Sequence, residues 1–306
     1  MPHTHHHIED NDSLDLRLWG SMGLNLAVTV VEIIGGVLSG SLGLLADAVH
    51  NLSDIAALGL AIVARDLGRR PATHRFTYGL KRTEILAALL NAVILGVITV
   101  FIVHEAITRL LNPVLLSSRV MLPVALAALL ANLGSVFLLR KHDGDDLNVR
   151  SAFLHLAQDA LSSLVVVVAA LFAKSRVGPY LDPIAALVIG LGVAWSAVSI
   201  IRQAVGTLVE ATPAGFQLEQ MVQEVGLQFD PVQMHHVHVW EIGSGQTALT
   251  AHLSVPEMSV TKAESLTNEI RTFLQEHWHI QHATLEPEVN GCGKSDMLGE
   301  WKPISL

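Results

Sequence analysis

Residues 44–59 read "LLADAVHNLSDIAALG", an apolar stretch long enough to lie within a membrane span, yet Asp47, His50 and Asp54 stand near its middle. An ionised side chain at the centre of a bilayer helix costs about 2.5–3.5 kcal/mol even on lenient insertion scales. Some compensating interaction must offset that cost. His50 and Asp54 are four residues apart, so both project from one helix face, with Asp47 about one turn earlier.

The surrounding chain supports the membrane reading. Its 306 residues are 51% hydrophobic and 15% charged, with a mean hydropathy of +0.46, too apolar for an ordinary soluble domain. A helix needs roughly 20 apolar residues to cross a bilayer. Six such runs occur, near 16–38, 42–64, 84–107, 120–139, 152–173 and 183–204. The fold class expected is an α-helical membrane protein of six spans followed by a small soluble domain. The domains expected are a His-rich tail (1–14), a transmembrane domain (15–206) and a terminal domain (207–306).

Loop charge sets the orientation. Nine Lys and Arg lie on one side, six of them in "RDLGRRPATHRFTYGLKR" (65–82), against four on the other, which places both termini in the cytoplasm. No basic n-region with a small-residue cleavage site precedes the first run, so the start is expected to be uncleaved. The N-terminal "MPHTHHHIEDND" reads as a disordered, metal-attracting tail. The single cysteine, Cys292, excludes an internal disulfide framework.

The net charge of −9 belongs to the last third: residues 207–306 carry 4 Lys and Arg against 13 Asp and Glu. Nucleic acid would need a basic surface and is not an expected partner there. This segment reads as αββαβ. Thr212 and Pro213 are expected to open a helix, "MHHVHVWEI" and "ALTAHLSV" to form strands, Thr261 and Glu264 to form a capping box, and "ATLEPEV" to close the sheet. Regular strand alternation would put His235 on one face with Val237, and His236, His238 and Trp240 on the other.

A second HxxxD motif, His155 and Asp159 in "FLHLAQDALSS", repeats the spacing of the first on the fifth run. Two imidazoles and two carboxylates suit a tetrahedral zinc ion, whose charge offsets two buried anions. A His/Asp network that only locks helices together is the alternative. Asp47 reads as a supporting acceptor or a proton site outside the ligand set. Glu32, Asn25, Asn91 and Asn132 read as helix-to-helix hydrogen bonders. An intramembrane metalloenzyme would need a base beside the metal, as in HExxH, and no such motif occurs. A metal sensor that signals without transport is a third reading.

On "SGSLGLLADAVHNLSD", "NVRSAFLHLAQDALSS", "HHVHVWEI" and "HATLEPE", in that order, the chain resembles the cation diffusion facilitator family, its bacterial zinc exporters in particular. The resemblance covers nearly the whole chain. It implies a homodimer in the bacterial inner membrane that exchanges cytosolic Zn(II) for protons through His50, Asp54, His155 and Asp159, with Cd(II) or other divalent ions as further cargo. It also implies a zinc site in the terminal domain at His235, His252 and Glu288, with Glu286 as a further ligand and His282 and Cys292 as weaker candidates. Two features depart from the family pattern. The loop "PATHRFTYG" keeps only His74 of a metal site found there in some relatives, with Pro71 and Tyr78 in the other places, and the His-rich insert between the fourth and fifth helices of many eukaryotic relatives is missing.

Overall fold

The computed structural model describes residues 8–140, 147–289 and 297–298, and side chains over 23–137, 153–289 and 297–298. The histidines of the N-terminal tail, Lys141, Cys292 and the side chains of Arg140 and Arg150 lie outside the described residues. Six long helices come first: α1 (Ile8–Ser39), α2 (Leu42–Gly68), α3 (Thr83–Leu111), α4 (Ser118–Arg140), α5 (Leu147–Phe172) and α6 (Gly178–Leu208). There follow α7 (Leu218–Gln228), β1 (Gln233–Gly243), β2 (Gln246–Ser254), α8 (Val260–Trp278) and β3 (Ile280–Glu288). Among the described residues, α2 to α6 each contain a stretch long and apolar enough to cross a membrane, and Gly23–Ser39 of α1 is a shorter apolar one. This is the expected plan of six helices and an α/β domain.

The chain divides into two compact units, residues 1–60 with 90–201, and residues 61–89 with 202–306. In the first, the core is rich in alanine: Ala46, Ala125, Ala169, Ala170, Ala185 and Ala186 are buried around Leu44, Met121 and Val166. Small residues let helices approach closely where lipid provides no hydrophobic drive. Large apolar side chains point outward instead, Trp195 being 82% exposed and Phe101 70%. That inverted distribution is what a hydrocarbon solvent selects.

The α1–α2 hairpin turns at Gly40, whose φ of +75° a side chain would resist. Ser41 caps α2, its Oγ accepting the Leu44 N–H at 3.1 Å. From α6 the carboxylate of Asp182, fully buried, accepts the N–H groups of Leu42 (2.8 Å) and Gly43 (3.1 Å) and the Ser41 hydroxyl. These amides would otherwise be orphan donors at a buried helix start. Arg109 of α3 donates to the Gly40 carbonyl and is held by Glu105 at 2.9 Å.

In the second unit α7 and α8 cover one face of a three-stranded sheet of order β1-β2-β3, antiparallel then parallel. Met221, Val225, Val237, Val239, Leu249, Leu253, Ile270 and Leu274 form its core. Four local expectations are corrected. α7 starts at Leu218 rather than Pro213, because Gly215 takes φ +81° and the Phe216 N–H closes a turn on the Pro213 carbonyl at 3.0 Å. α8 is capped by Ser259, whose extended backbone lets its hydroxyl accept from the Lys262 N–H at 3.4 Å, not by Thr261. α1 begins at Ile8, within the stretch read as a disordered tail. Finally, β1 does not alternate regularly.

Candidate metal sites

The opening motif of α2 meets its counterpart on α5. His50 Nε2 lies 3.3 Å from Asp159 Oδ1, and His155 Nε2 lies 3.4 Å from Asp54 Oδ2. Within each motif the imidazole stands 3.9 Å from its own carboxylate. Zinc bonds of about 2.0–2.1 Å in a tetrahedron place ligand atoms roughly 3.3 Å apart. His50, Asp54 and Asp159 each offer a ligand atom within 4.8 Å of the others, near the spacing a tetrahedral cation requires, and His155 stands beside Asp54 at the edge of this group. Asp159 is 2% exposed and His155 47%, so the cluster has a buried end and an accessible one. His50 Nε2, Asp54 Oδ2 and Asp159 Oδ1 are buried without a hydrogen-bond partner among the described residues. These atoms face one another without well-aligned hydrogen bonds, an arrangement that a cation between them would satisfy.

Asp47 is fully buried and belongs to a hydrogen-bond network that reaches the backbone carbonyl of Asp159 through Ser162. Its two oxygens accept from Ser162 Oγ at 2.5 Å and Ser163 Oγ at 2.8 Å, both on α5. Asn132 of α4 donates to Ser163 Oγ at 2.9 Å, and Asn51 of α2 donates to the buried carboxyl of Glu32 on α1 at 3.0 Å. Asn91 donates to Ser53 Oγ at 3.2 Å. Glu32, Asn91 and Asn132 thus serve as helix-to-helix partners. The two serines escape a reading of the sequence, although "SS", three and four residues after Asp159, places them one turn beyond it.

The terminal domain holds a second cluster, on the sheet face turned away from α7 and α8. His235 is paired with His252 on β2, and His252 with Glu286 on β3. Glu288 Oε1 lies 3.5 Å from His235 Nε2 and contacts His252 Nδ1. Glu286 reaches His252 Nε2 at 3.7 Å but is 71% exposed. His282 is not part of this group. Its ring packs edge-on against Tyr78, with centroids 5.9 Å apart.

A bulge in β1 sets this arrangement. The register with β2 shifts between His235 and His238, and His236 adopts φ +52°. The extra residue returns Val237 to the core beside Met234, so His235 lies on the face opposite Val237, contrary to simple alternation. It also brings the His236 ring to 4.8 Å from His252 and 5.3 Å from His238. Burial, with the neighbouring imidazoles of His236 and His252, pulls the His238 pKa below its ordinary value. No feature of "MHHVHVWEI" announces the bulge, since two adjacent histidines satisfy a regular strand equally well.

Two family profiles match the chain. Residues 18–209 match the family profile described as the cation efflux transmembrane domain, and residues 217–289 that of the cation efflux protein, cytoplasmic domain. The zinc transporter ZitB of Escherichia coli (strain K12) is 37% identical over 305 residues, covering 97% of this chain and 95% of the relative. The metal cation efflux system protein CzcD of Cupriavidus metallidurans is 30% identical over 298 residues, 96% of this chain and 92% of the relative. The cadmium, cobalt and zinc/H(+)-K(+) antiporter of Bacillus subtilis is 33% identical over 264 residues, 85% and 84% of the two chains. With paired HxxxD motifs on two apolar helices and an αββαβ domain following in sequence, this chain belongs to the cation efflux family, a family of multi-pass membrane transporters rather than enzymes.

Proposed function

We propose that the chain is a secondary transporter that carries Zn(II) out of the cytoplasm in exchange for protons, with His50, Asp54, His155 and Asp159 as its transport site. The observation that carries this reading is that the two imidazoles and two carboxylates from α2 and α5 meet, with His-to-carboxylate separations of 3.3–3.9 Å. Relatives named for zinc transport and for zinc/H(+) antiport support the cargo and the exchange. Cadmium and cobalt in the name of the second make them candidate further cargo.

Zinc is held by neutral imidazole and ionised carboxylate, so metal loading and proton loading compete. An unperturbed imidazole titrates near pH 6.5, close enough to the cytoplasmic range for modest acidity to change its state. With the site open to the cytoplasm, zinc binds. With the site open to a more acidic exterior, protons take its place. On this reading residues 15–206 form the transporting domain, in the bacterial inner membrane with both termini cytoplasmic. Residues 207–306 form a cytoplasmic domain that associates with a second copy.

His235, His252 and Glu288 are proposed as the ligands of a regulatory zinc in that domain. The matched profile of the cytoplasmic domain and the convergence of the three side chains support this. Bound zinc would cancel repulsion between two acidic domains and bias the transporter's conformation.

Zinc flux into proteoliposomes tests the reading. With an outward proton gradient, zinc should enter vesicles holding inside-out protein, and the flux should collapse when a protonophore dissipates the gradient. Zinc binding without flux would overturn the transport reading in favour of a sensor.

A further inference from the structure

The loop joining α2 to α3 carries charge of the opposite sign to the metal sites. Arg65, Arg69, Arg70, Arg75, Lys81 and Arg82 face a single acid, Asp66, within residues 65–82. Among the described residues, only Arg82 of these six has a carboxylate partner, Glu210 at 3.0 Å. α2 ends at Gly68 and α3 begins at Thr83, so the loop stands where apolar spans give way to headgroups. Exposed aromatic rings are favoured at that depth, and Phe76 and Tyr78 are both exposed here.

The loop is a built structure. The Thr73 N–H donates to the Phe76 carbonyl at 3.0 Å, the Phe76 N–H to Thr73 Oγ1 at 3.1 Å and the Gly79 N–H to the Phe76 carbonyl at 2.9 Å. Gly79 turns the chain with φ +75°. Lys81 then passes so close to the end of β1 that a Cβ at Gly243 would stand 2.9 Å from the Lys81 Cβ. Together with the Arg82–Glu210 pair and the Tyr78–His282 contact, this fixes the loop against the sheet. The result is a cavity of about 460 Å³ lined by Arg75, Phe76, Lys81, Arg82, Glu210 and Trp240 among others. Its one carboxylate is paired with Arg82, so Arg75 and Lys81 provide two cations without a carboxylate partner beside the rings of Phe76, Tyr78 and Trp240.

We propose that this cavity binds the phosphate headgroup of an anionic phospholipid, with Arg75 and Lys81 as the donors to the phosphate oxygens and Phe76 and Trp240 against the apolar part of the lipid. Arginine and lysine are the side chains suited to phosphate, the first by its planar fork and the second as a compact charge. Anionic lipid of the cytoplasmic leaflet supplies that partner at high local concentration. A lipid seated there would touch both the α2–α3 loop and the terminal domain.

Native mass spectrometry of the full-length protein in detergent, titrated with phosphatidylglycerol or phosphatidylcholine, tests this. The parent should bind phosphatidylglycerol about tenfold more tightly than phosphatidylcholine. Arg75→Gln with Lys81→Gln should erase the preference. Arg69→Gln with Arg70→Gln, equal in net charge, should keep it. Exchanging the two cations, Arg75→Lys with Lys81→Arg, should preserve it, which separates lost charge from a misfolded loop. Retention of the preference in Arg75→Gln/Lys81→Gln would overturn the proposal, as would equal loss in the two Gln pairs or failure of the exchanged pair to bind. Millimolar inorganic phosphate should leave the lipid in place. Displacement would assign the site to free phosphate and overturn the lipid reading.

Discussion

His50 on α2 stands closer to Asp159 on α5, at 3.3 Å, than to Asp54 of its own motif, at 3.9 Å. The reciprocal pair, His155 with Asp54, behaves alike at 3.4 Å. Each motif is met by its counterpart on the other helix, so an ion held by both pairs would tie α2 to α5.

Replacing His50 by aspartate exchanges a borderline nitrogen donor for a hard oxygen. His50→Asp should lower the ratio of zinc to Cd(II) or Mn(II) carried in a competition assay, because an oxygen-rich site tolerates more coordination geometries. An unchanged ratio would count against His50 as a ligand.

Asp47 tests the division between ligand and support. Its carboxylate accepts from Ser162 and Ser163, so Asp47→Asn keeps one acceptor and loses charge next to two hydroxyls. Zinc affinity should fall by about 10–100-fold or the pH optimum of flux should move, with transport still measurable at saturating zinc. Complete loss of zinc binding would place Asp47 in the ligand set.

For the terminal domain, His235→Ala with His252→Ala removes two of three converging donors. Zinc-dependent association of the full-length protein's cytoplasmic domains, followed by crosslinking or by distance between spin labels, should disappear while flux persists. The same zinc dependence in parent and double mutant would show the site to be misplaced.

Asp182 accepts two backbone N–H groups and a hydroxyl at a buried helix start. Hydrogen bonds to a charged group are worth about 1.5–3 kcal/mol each. Asp182→Leu should therefore lower the melting temperature in detergent by about 5 °C or more, and Asp182→Asn by less. A melting temperature unchanged in Asp182→Leu would mean that solvent or another group satisfies those donors.

The spans and the HxxxD pairs were legible because helical periodicity and hydropathy are local properties: four-residue spacing alone puts His50 with Asp54 and His155 with Asp159. What brings the two pairs together is a packing decision between α2 and α5 that hydropathy does not encode. The His236 bulge was illegible for a related reason, since strand alternation assumes the regular ladder that the bulge interrupts. Asp182 was hidden by its setting, one carboxylate just ahead of an apolar run, whose partners are backbone amides of a distant helix. The Gly215 turn, by contrast, was visible as "PAG", and Thr212-Pro213 offered a competing helix start that the glycine overrides.

On the transport reading, half-buried Asp54 and buried Asp159 are tolerated within the spans because a cation neutralises them. Asp54→Asn and Asp159→Asn should insert and purify as well as the parent, since each removes a charge costing about 2.5–3.5 kcal/mol in the bilayer. Both should lose zinc flux in proteoliposomes, because an amide has no charge to offer the ion. Stable protein with abolished flux is the result this account predicts. Normal zinc flux through Asp54→Asn would contradict it and return the cluster to a packing role.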